Sequence, residues 1–502
     1  MKQKTVNYKL VLFGLLLFIG ILFFVNLEGQ RLMTNTLAVT VLIAFLWCTE
    51  ALPIGLTSML PLVLFPAFGI LDGKLVSEAY INHVIFLFIA GFIIALTIEK
   101  WNLHQRIALK ILSYTGTSFF RIMLGFMLCS SLLSMWISNT AAAMMMIPIG
   151  LSVVTVLNKK GEESKMRKFN THLFLSIAYA CSIGGVGTLI GTPPNLSYAR
   201  ISEVLFPKIP EISFAQWMIM ALPIVVVMFM IVLFLLYFTS VPKGKSKLKL
   251  EGSYFKKEYN LLGHTTTEQK RVFYVFLLLI FLWLFRRELV LGDFYLPGWS
   301  QLFPFPHFVN DGTVAVFVVL LLFLIPSSDK QKPLVTWEIT KKIPWDVVFL
   351  LGGGFAIAKA FVVSGLSVYL GEQLMFFFTS RSDVGILGML VGFIVFLTEI
   401  TSNTATTEIM LPVISGVAKT LRCHPIILML SVTLASSMAF MFPVATAPNA
   451  LVFGTGKIKM LEMIKIGFLL NLLAVMVIVL VVYFWIPYVF QIDFHTFPDW
   501  AQ

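Results

Sequence analysis

The chain has 502 residues, 58% of them hydrophobic and only 12% charged, and it carries a net charge of +12. Soluble domains hold about 25% charged residues, so there is too little polar surface here to clothe the roughly three soluble domains that the length would suggest. Disorder and a disulfide scaffold are excluded too, since Cys48, Cys129, Cys181 and Cys423 lie far apart, mostly in apolar runs, and read as buried thiols.

The basicity is unevenly placed. Segments 1–9, 159–168, 241–271 and 328–342 hold 20 Lys/Arg against 7 acids. The polar segments 28–34, 71–82, 205–214, 286–311, 369–383 and 488–502 hold 6 against 11. That split is the positive-inside pattern of a multi-pass membrane protein, and it explains the charge without nucleic acid.

A helix needs about 20 apolar residues to cross a ~30 Å hydrocarbon layer. Eleven crossings are expected, near 8–27, 35–48, 52–70, 83–99, 171–204, 215–239, 272–286, 312–327, 345–368, 425–455 and 464–487. Lys2, Lys4 and Lys9 precede the first run as in a signal peptide, but no small-residue cleavage site follows, and the run is long enough to span. It reads as an anchor with the N-terminus inside. The odd count places the C-terminus, with Asp493 and Asp499, outside, and all four basic segments then fall inside.

The amphipathic segment 100–121 is expected along the inner interface. The stretches 122–156 and 384–420 are each too long for one crossing and hold a polar cluster in the middle. Both read as re-entrant hairpins, because counting either as one crossing would put basic loops on both sides.

The sequence also repeats itself. VIFLFIAGFIIALTIEKWNL (84–103) aligns with VVFLLGGGFAIAKAFVVSGL (347–366). SMWISNTAAAMMMIP (134–148) aligns with TEITSNTATTEIMLP (398–412), and GTPPNL (191–196) with ATAPNA (445–450). Ordered matches at a nearly constant offset, entering from opposite sides, describe an inverted repeat of the kind found in secondary transporters. The organisation expected is a membrane anchor over 1–34, a first repeat over 35–240, an inner linker over 241–271, a second repeat over 272–487 and an outer tail over 488–502. The fold class is an all-α polytopic membrane protein.

Ser138-Asn139-Thr140 and Ser402-Asn403-Thr404 sit in apolar surroundings, where unsatisfied hydroxyls and amides are costly. A hairpin tip facing a wet cavity relieves that cost. The first arm of such a tip ends in free carbonyls, which suit a small hard cation such as Na⁺, and the second begins with free N–H groups, which suit a carboxylate. Asn and Thr side chains serve either role. Pro193-Pro194 and Pro448 break two long spans and bare carbonyls near mid-membrane. Two cation sites with an anion pocket between them follow. No Lys or Arg lies in these four motifs, so bound cations have to neutralise the anion.

Glu50, Glu399 and Glu408 are acids at or near membrane depth that could act in transport, pair with a basic neighbour or cap a helix. Gly185-x-Gly187 and Gly352-Gly353-Gly354 lack a nucleotide-loop context and read as close helix packing. The seven His show no metal-site spacing.

With WCTEALPIGLTSMLP (47–61), both Ser-Asn-Thr motifs, GTPPN and FMFPVATAPNALVFGTG (440–456), the chain resembles the divalent anion/sodium symporter family over nearly its whole length. The resemblance implies a homodimer whose protomers divide into a scaffold and a moving transport domain, working as an elevator. By position, a first sodium site would use Ser134, Ser138, Asn139 and Gly191, and a second Thr398, Thr401, Asn403 and Ala445, several through backbone carbonyls. Substrate carboxylates would meet Asn139, Thr140, Asn403, Thr404 and Thr446. Ala447 departs from the family's usual Pro-Pro.

Ala141, Ala142 and Ala143 follow the first Ser-Asn-Thr where sodium-independent exchangers carry a basic residue, which favours sodium coupling. Pro193, where citrate-accepting relatives tend to have Gly, favours C4-dicarboxylates such as succinate, fumarate or malate. The expected activity is Na⁺-coupled dicarboxylate symport across the plasma (inner) membrane, with a sodium-independent dicarboxylate or citrate exchanger as the alternative. An intramembrane enzyme would need a nucleophile, base or metal set, and a channel a continuous polar stripe; neither pattern is visible.

Overall fold

A computed structural model describes residues 6–27, 29–158, 163–240, 251–291, 294–329, 332–378 and 381–502. Parts of the expected anchor (1–5), of the second basic segment (159–162) and of the inner linker (241–250) lie outside the described residues.

The described chain is almost wholly helical. Six segments are long and apolar enough to cross a membrane: Arg31–Thr49, Gly73–Lys100, Asn139–Leu157, Phe214–Ser240, Trp345–Ser364 and Met460–Phe490. The expected crossings 8–27, 52–70 and 312–327 and the start of 425–455 hold shorter apolar helices, Tyr8–Phe24, Ile54–Ala67, Asp311–Leu324 and Pro425–Ser436, and so does the first part of the expected 122–156 hairpin, Phe119–Ser134, whose second part is one of the six long helices. Local chemistry sets their starts. Asn82 Oδ1 accepts from the N–H groups of Val84 and Ile85, and Ser118 and Ser382 cap the helices that begin at Phe119 and Asp383. Thr266 and Gln269 form a reciprocal capping box.

The structure departs from expectation in three places. The run 52–70 is two short helices, Ile54–Thr57 and Leu60–Ala67, with Pro61 in the first turn of the second, Pro53 just before the first and Pro66 inside the second. The segment 369–383, expected as a polar outer loop, is mostly helix, Leu366–Phe378, and it packs on Asn403–Leu421. There Gly371 faces the backbone of Gly416, so two glycines let the helices approach more closely than any side chain would allow. Finally, a two-stranded antiparallel ribbon pairs Leu289–Leu291 with Phe294–Leu296, a small exception to an all-α fold. The amphipathic segment is the helix Leu103–Thr115, which buries Leu103, Ala108, Leu109 and Leu112.

Two polar breaks separate consecutive helices, Phe119–Ser134 from Asn139–Asn158 and Asp383–Leu397 from Asn403–Leu421, at the positions expected for the hairpin tips. Two spans are broken: Glu163–Val186 resumes as Pro193–Leu205, and Pro425–Ser436 resumes as Ala447–Gly454. These parts interlock crosswise. Asn139–Asn158 packs on Ala447–Gly454, and Asn403–Leu421 packs on Pro193–Leu205. Trp345–Ser364 lies against both members of the second pair. Phe24, Phe238 and Leu324 remain exposed, a liability in water that disappears against lipid tails.

Candidate functional site

Each hairpin break presents one helix C-terminus, rich in free carbonyls, and one helix N-terminus, rich in free N–H groups. Each broken span does the same, at 186–193 and at 436–447.

The first cluster forms around Ser134. Its Oγ lies 2.5 Å from Asn139 Oδ1 and 2.7 Å from the carbonyl oxygen of Cys181. A serine hydroxyl has one proton, and neither partner brings another, so one proton serves two close oxygen contacts. Such a proton-poor group of oxygens suits a cation. Asn139 also rests on Gly185, where a Cβ would come 2.5 Å from Oδ1 and 3.1 Å from the carbonyl oxygen of Gly191. Ser134, Asn139 and the Gly191 backbone therefore converge.

The second cluster repeats the pattern. Thr398 Oγ1 lies 2.7 Å from Asn403 Oδ1 and 2.8 Å from the carbonyl oxygen of Ser436. Thr401 stands apart, its hydroxyl donating to Leu397 O and meeting Thr406 Oγ1, which leaves its backbone carbonyl for a ligand role. Ser138 accepts from the N–H of Ala141 at the start of its helix. Ala445 is buried in the unwound turn.

The expected carboxylate-binding groups stand at helix N-termini. Asn139 and Asn403 each open the second arm of a hairpin, followed by Thr140 and Thr404. Among the described residues these two threonine hydroxyls have no hydrogen-bond partner. Thr446 is the N-cap of Ala447–Gly454, its oxygen accepting from Asn449 N, so its O–H is free to donate. Ala447 does not prevent this second helix from forming, because Pro448 still occupies its first turn.

Three features went unread in the sequence: the carbonyls of Cys181 and Ser436, the roles of Asn195 and Asn449, and Tyr179. The carbonyls of Cys181 and Ser436 carry no side-chain signal. Asn195 and Asn449, the last letters of the two proline motifs, hold the unwound turns. Asn195 Nδ2 donates to Gly185 O and Thr188 O, and Asn449 Nδ2 to Ala439 O and Phe442 O. Both leave a buried Oδ1 without a partner. Glu399 accepts from the N–H groups of Phe440, Met441 and Phe442, so it acts as a cap and not as an ion-pair partner. Tyr179, finally, donates to Phe440 O and ties the first half to the second.

A cleft of about 350 Å³ reaches Ser138 between the first hairpin and the helix His83–Lys100, with Glu99 and His104 on its wall.

Comparison with known proteins agrees. Residues 5–492 match the family described as the sodium:sulfate symporter transmembrane region. A sodium-dependent dicarboxylate transporter, SdcS, from Staphylococcus saprophyticus is 44% identical over 91% of this chain and 87% of its own length. The SdcS protein of Staphylococcus aureus is 40% identical over 96% of this chain and 92% of its own. Among solved structures, the Alcanivorax borkumensis YdaH transporter matches with a TM-score of 0.55 at 13% identity, covering 81% of this chain and 85% of that one. The Neisseria gonorrhoeae MtrF protein matches with a TM-score of 0.54 at 13% identity, covering 82% and 84%. These two likenesses concern the fold alone. With the family matched along nearly its whole length and its motifs gathered at the two breaks, the chain belongs to the divalent anion/sodium symporter family.

Proposed function

We propose that the protein is a multi-pass secondary transporter that couples Na⁺ to the symport of C4-dicarboxylates such as succinate. The observation that carries this reading is the pair of proton-poor oxygen clusters, at Ser134–Asn139 and Thr398–Asn403, with no Lys or Arg in either motif. The names of the SdcS relatives point the same way.

One Na⁺ binds among Ser134, Ser138, Asn139 and the Gly191 carbonyl, the other among Thr398, Thr401, Asn403 and Ala445. Their charge, with the N-termini of the two hairpin arms, makes the pocket attractive to a dianion. Asn139, Thr140, Asn403, Thr404 and Thr446 donate to the two carboxylates. Without Na⁺ the carbonyl and amide oxygens of the two clusters, left uncompensated, repel an anion, so binding is obligatorily coupled.

The two halves form an inverted repeat, with the N-terminus cytoplasmic and the C-terminus outside. The hairpins and broken spans form the moving part of an elevator, carried on a scaffold that includes His83–Lys100 and Trp345–Ser364, within a homodimer. The cleft at Ser138, beside the inner amphipathic helix, is the cytoplasmic release path.

The deciding experiment is uptake of radiolabelled succinate into proteoliposomes under an inward Na⁺ gradient. Uptake is expected with Na⁺ and absent with K⁺, and Asn139→Ala and Asn403→Ala abolish it while the protein still assembles. Equal uptake without Na⁺ in the presence of internal dicarboxylate establishes the exchanger instead, and unchanged uptake in both variants refutes the site.

A further inference from the structure

Glu408 belongs to neither oxygen cluster. It lies on Asn403–Leu421 where that helix meets Trp345–Ser364 and Pro193–Leu205, and it is fully buried. Its Oε1 accepts one hydrogen bond, from Ser197 Oγ at 3.2 Å. Its Oε2 is buried with no hydrogen-bond partner among the described residues. The acid is seated deliberately, because only the missing side chain of Gly354 makes room for it: a Cβ there would collide with the Glu408 carboxylate. The neighbouring glycines serve other contacts on the same seam, Gly352 against the ring of Tyr80 and Gly353 against the backbone of Ser58.

Among the described residues no opposite charge compensates it. Among the described residues none of the titratable groups on the elements around it bonds to it, Lys359 of Trp345–Ser364 included. Tyr80 donates to Ser58 O at 2.5 Å, and the Tyr198 ring packs on Trp217 with its hydroxyl buried and unpartnered. Arg200 pairs with Glu203, and Lys419 lies over the ring of Phe206. An ionised carboxylate with a single neutral donor, out of reach of water, is far costlier than its protonated form.

We propose that Glu408 is a proton-binding site, filled as a neutral carboxylic acid while the second hairpin is seated on Trp345–Ser364 and emptied when that seam opens to water. The proton comes from solvent and returns to it. The site thereby adds a proton-linked step to the conformational cycle, separate from the two Na⁺ sites. The opening rests on the elevator reading above; the seated, protonated state does not.

Two measurements test it and fail independently. In infrared spectra of the protein in lipid at neutral pH, the carbonyl stretch of a protonated carboxylic acid is expected, and it disappears in Glu408→Gln. Absence of that band, or its persistence in the variant, overturns the site even if transport is intact. In proteoliposomes, raising the pH over the range where succinate stays a dianion slows wild-type Na⁺-driven uptake severalfold, because the seam must recapture its proton. Glu408→Gln, permanently neutral, has a flat profile, and a profile that superposes on the wild type overturns the coupling. Should Glu408→Gln not assemble, Ser197→Ala decides: loss of the hydroxyl shifts the acid's carbonyl band, and an unshifted band refutes the assignment.

Discussion

Glu399 and Asn471 meet in the second half of the protein, Asn471 Nδ2 donating to Glu399 Oε1 at 2.8 Å. The same carboxylate gathers three successive backbone N–H groups of the unwound turn at 440–442. The corresponding position in the first half is Met135, whose carbonyl instead accepts from the hydroxyl of Thr188. The two breaks are thus held open by different means.

That difference makes a one-sided prediction. Glu399→Gln turns an acceptor of several hydrogen bonds into a group with two donors of its own, facing the same N–H groups. It should cost about 2–3 kcal/mol, the range for hydrogen bonds to a charged group. A lowered thermal midpoint in detergent and a weakened second Na⁺ site are expected, and an unchanged midpoint contradicts this role.

The oxygen clusters can be separated by their hydroxyls. Ser134→Ala removes one shared oxygen from the first, and Thr398→Val one from the second. Each should raise the Na⁺ concentration for half-maximal uptake roughly tenfold, about 1.4 kcal/mol. Each should also lower the Hill coefficient for Na⁺. If neither variant changes the Na⁺ dependence, these oxygens do not bind the ion.

An ion triad, buried at one end, ties the segment 205–214 to the segment 286–311. Arg286 Nε reaches Asp311 Oδ1 at 2.7 Å, and its Nη2 reaches Glu211 Oε1 at 2.6 Å. The Arg286 and Asp311 side chains are 2% and 5% exposed, whereas Glu211 is 39% exposed. Arg286→Gln leaves Asp311 buried and uncompensated, with an expected loss of about 3–5 kcal/mol. Glu211→Gln, at the wetter end, should cost under about 1 kcal/mol. Equal thermal midpoints for the two variants would contradict this ranking.

His424 gives stability an acid limit. It precedes the helix Pro425–Ser436, its backbone N–H donates to Phe494 O, and its ring packs edge-on to Trp500. Burial pushes its pKa down from 6.5 to about 4, with Asp493 partly opposing the shift. The unfolded chain binds a proton below about 6.5 that the folded chain accepts only near 4, so stability should fall as pH drops through that window. His424→Phe should flatten the thermal midpoint against pH there, whereas a wild type that gains stability on acidification reverses the sign.

Much of this architecture was legible beforehand, because burial in lipid leaves few solutions. The polar letters of Ser138-Asn139-Thr140 and Ser402-Asn403-Thr404 had to sit at breaks, and Pro193 and Pro448 had to interrupt their helices. The oxygens of Cys181 and Ser436 were invisible, since a backbone carbonyl carries no letter of its own. Leu366–Phe378 was missed because Glu372 and the residues after it resembled an outer loop, while the pairing of Gly371 with Gly416 depends on tertiary approach. The kink in 52–70 was present as three prolines, but the apolar run outweighed them.

The donor atoms of the two clusters are all neutral. No carboxylate lies among Ser134, Asn139 and Cys181, nor among Thr398, Asn403 and Ser436. On the proposed reading, dipoles alone would hold a monovalent ion loosely, so the pocket would fill only where sodium is plentiful and drain quickly once it faces a sodium-poor compartment. A fixed negative charge would grip the ion too well to let it go. The weakness of the grip is thus what lets the carrier discharge on one side and return for the next load.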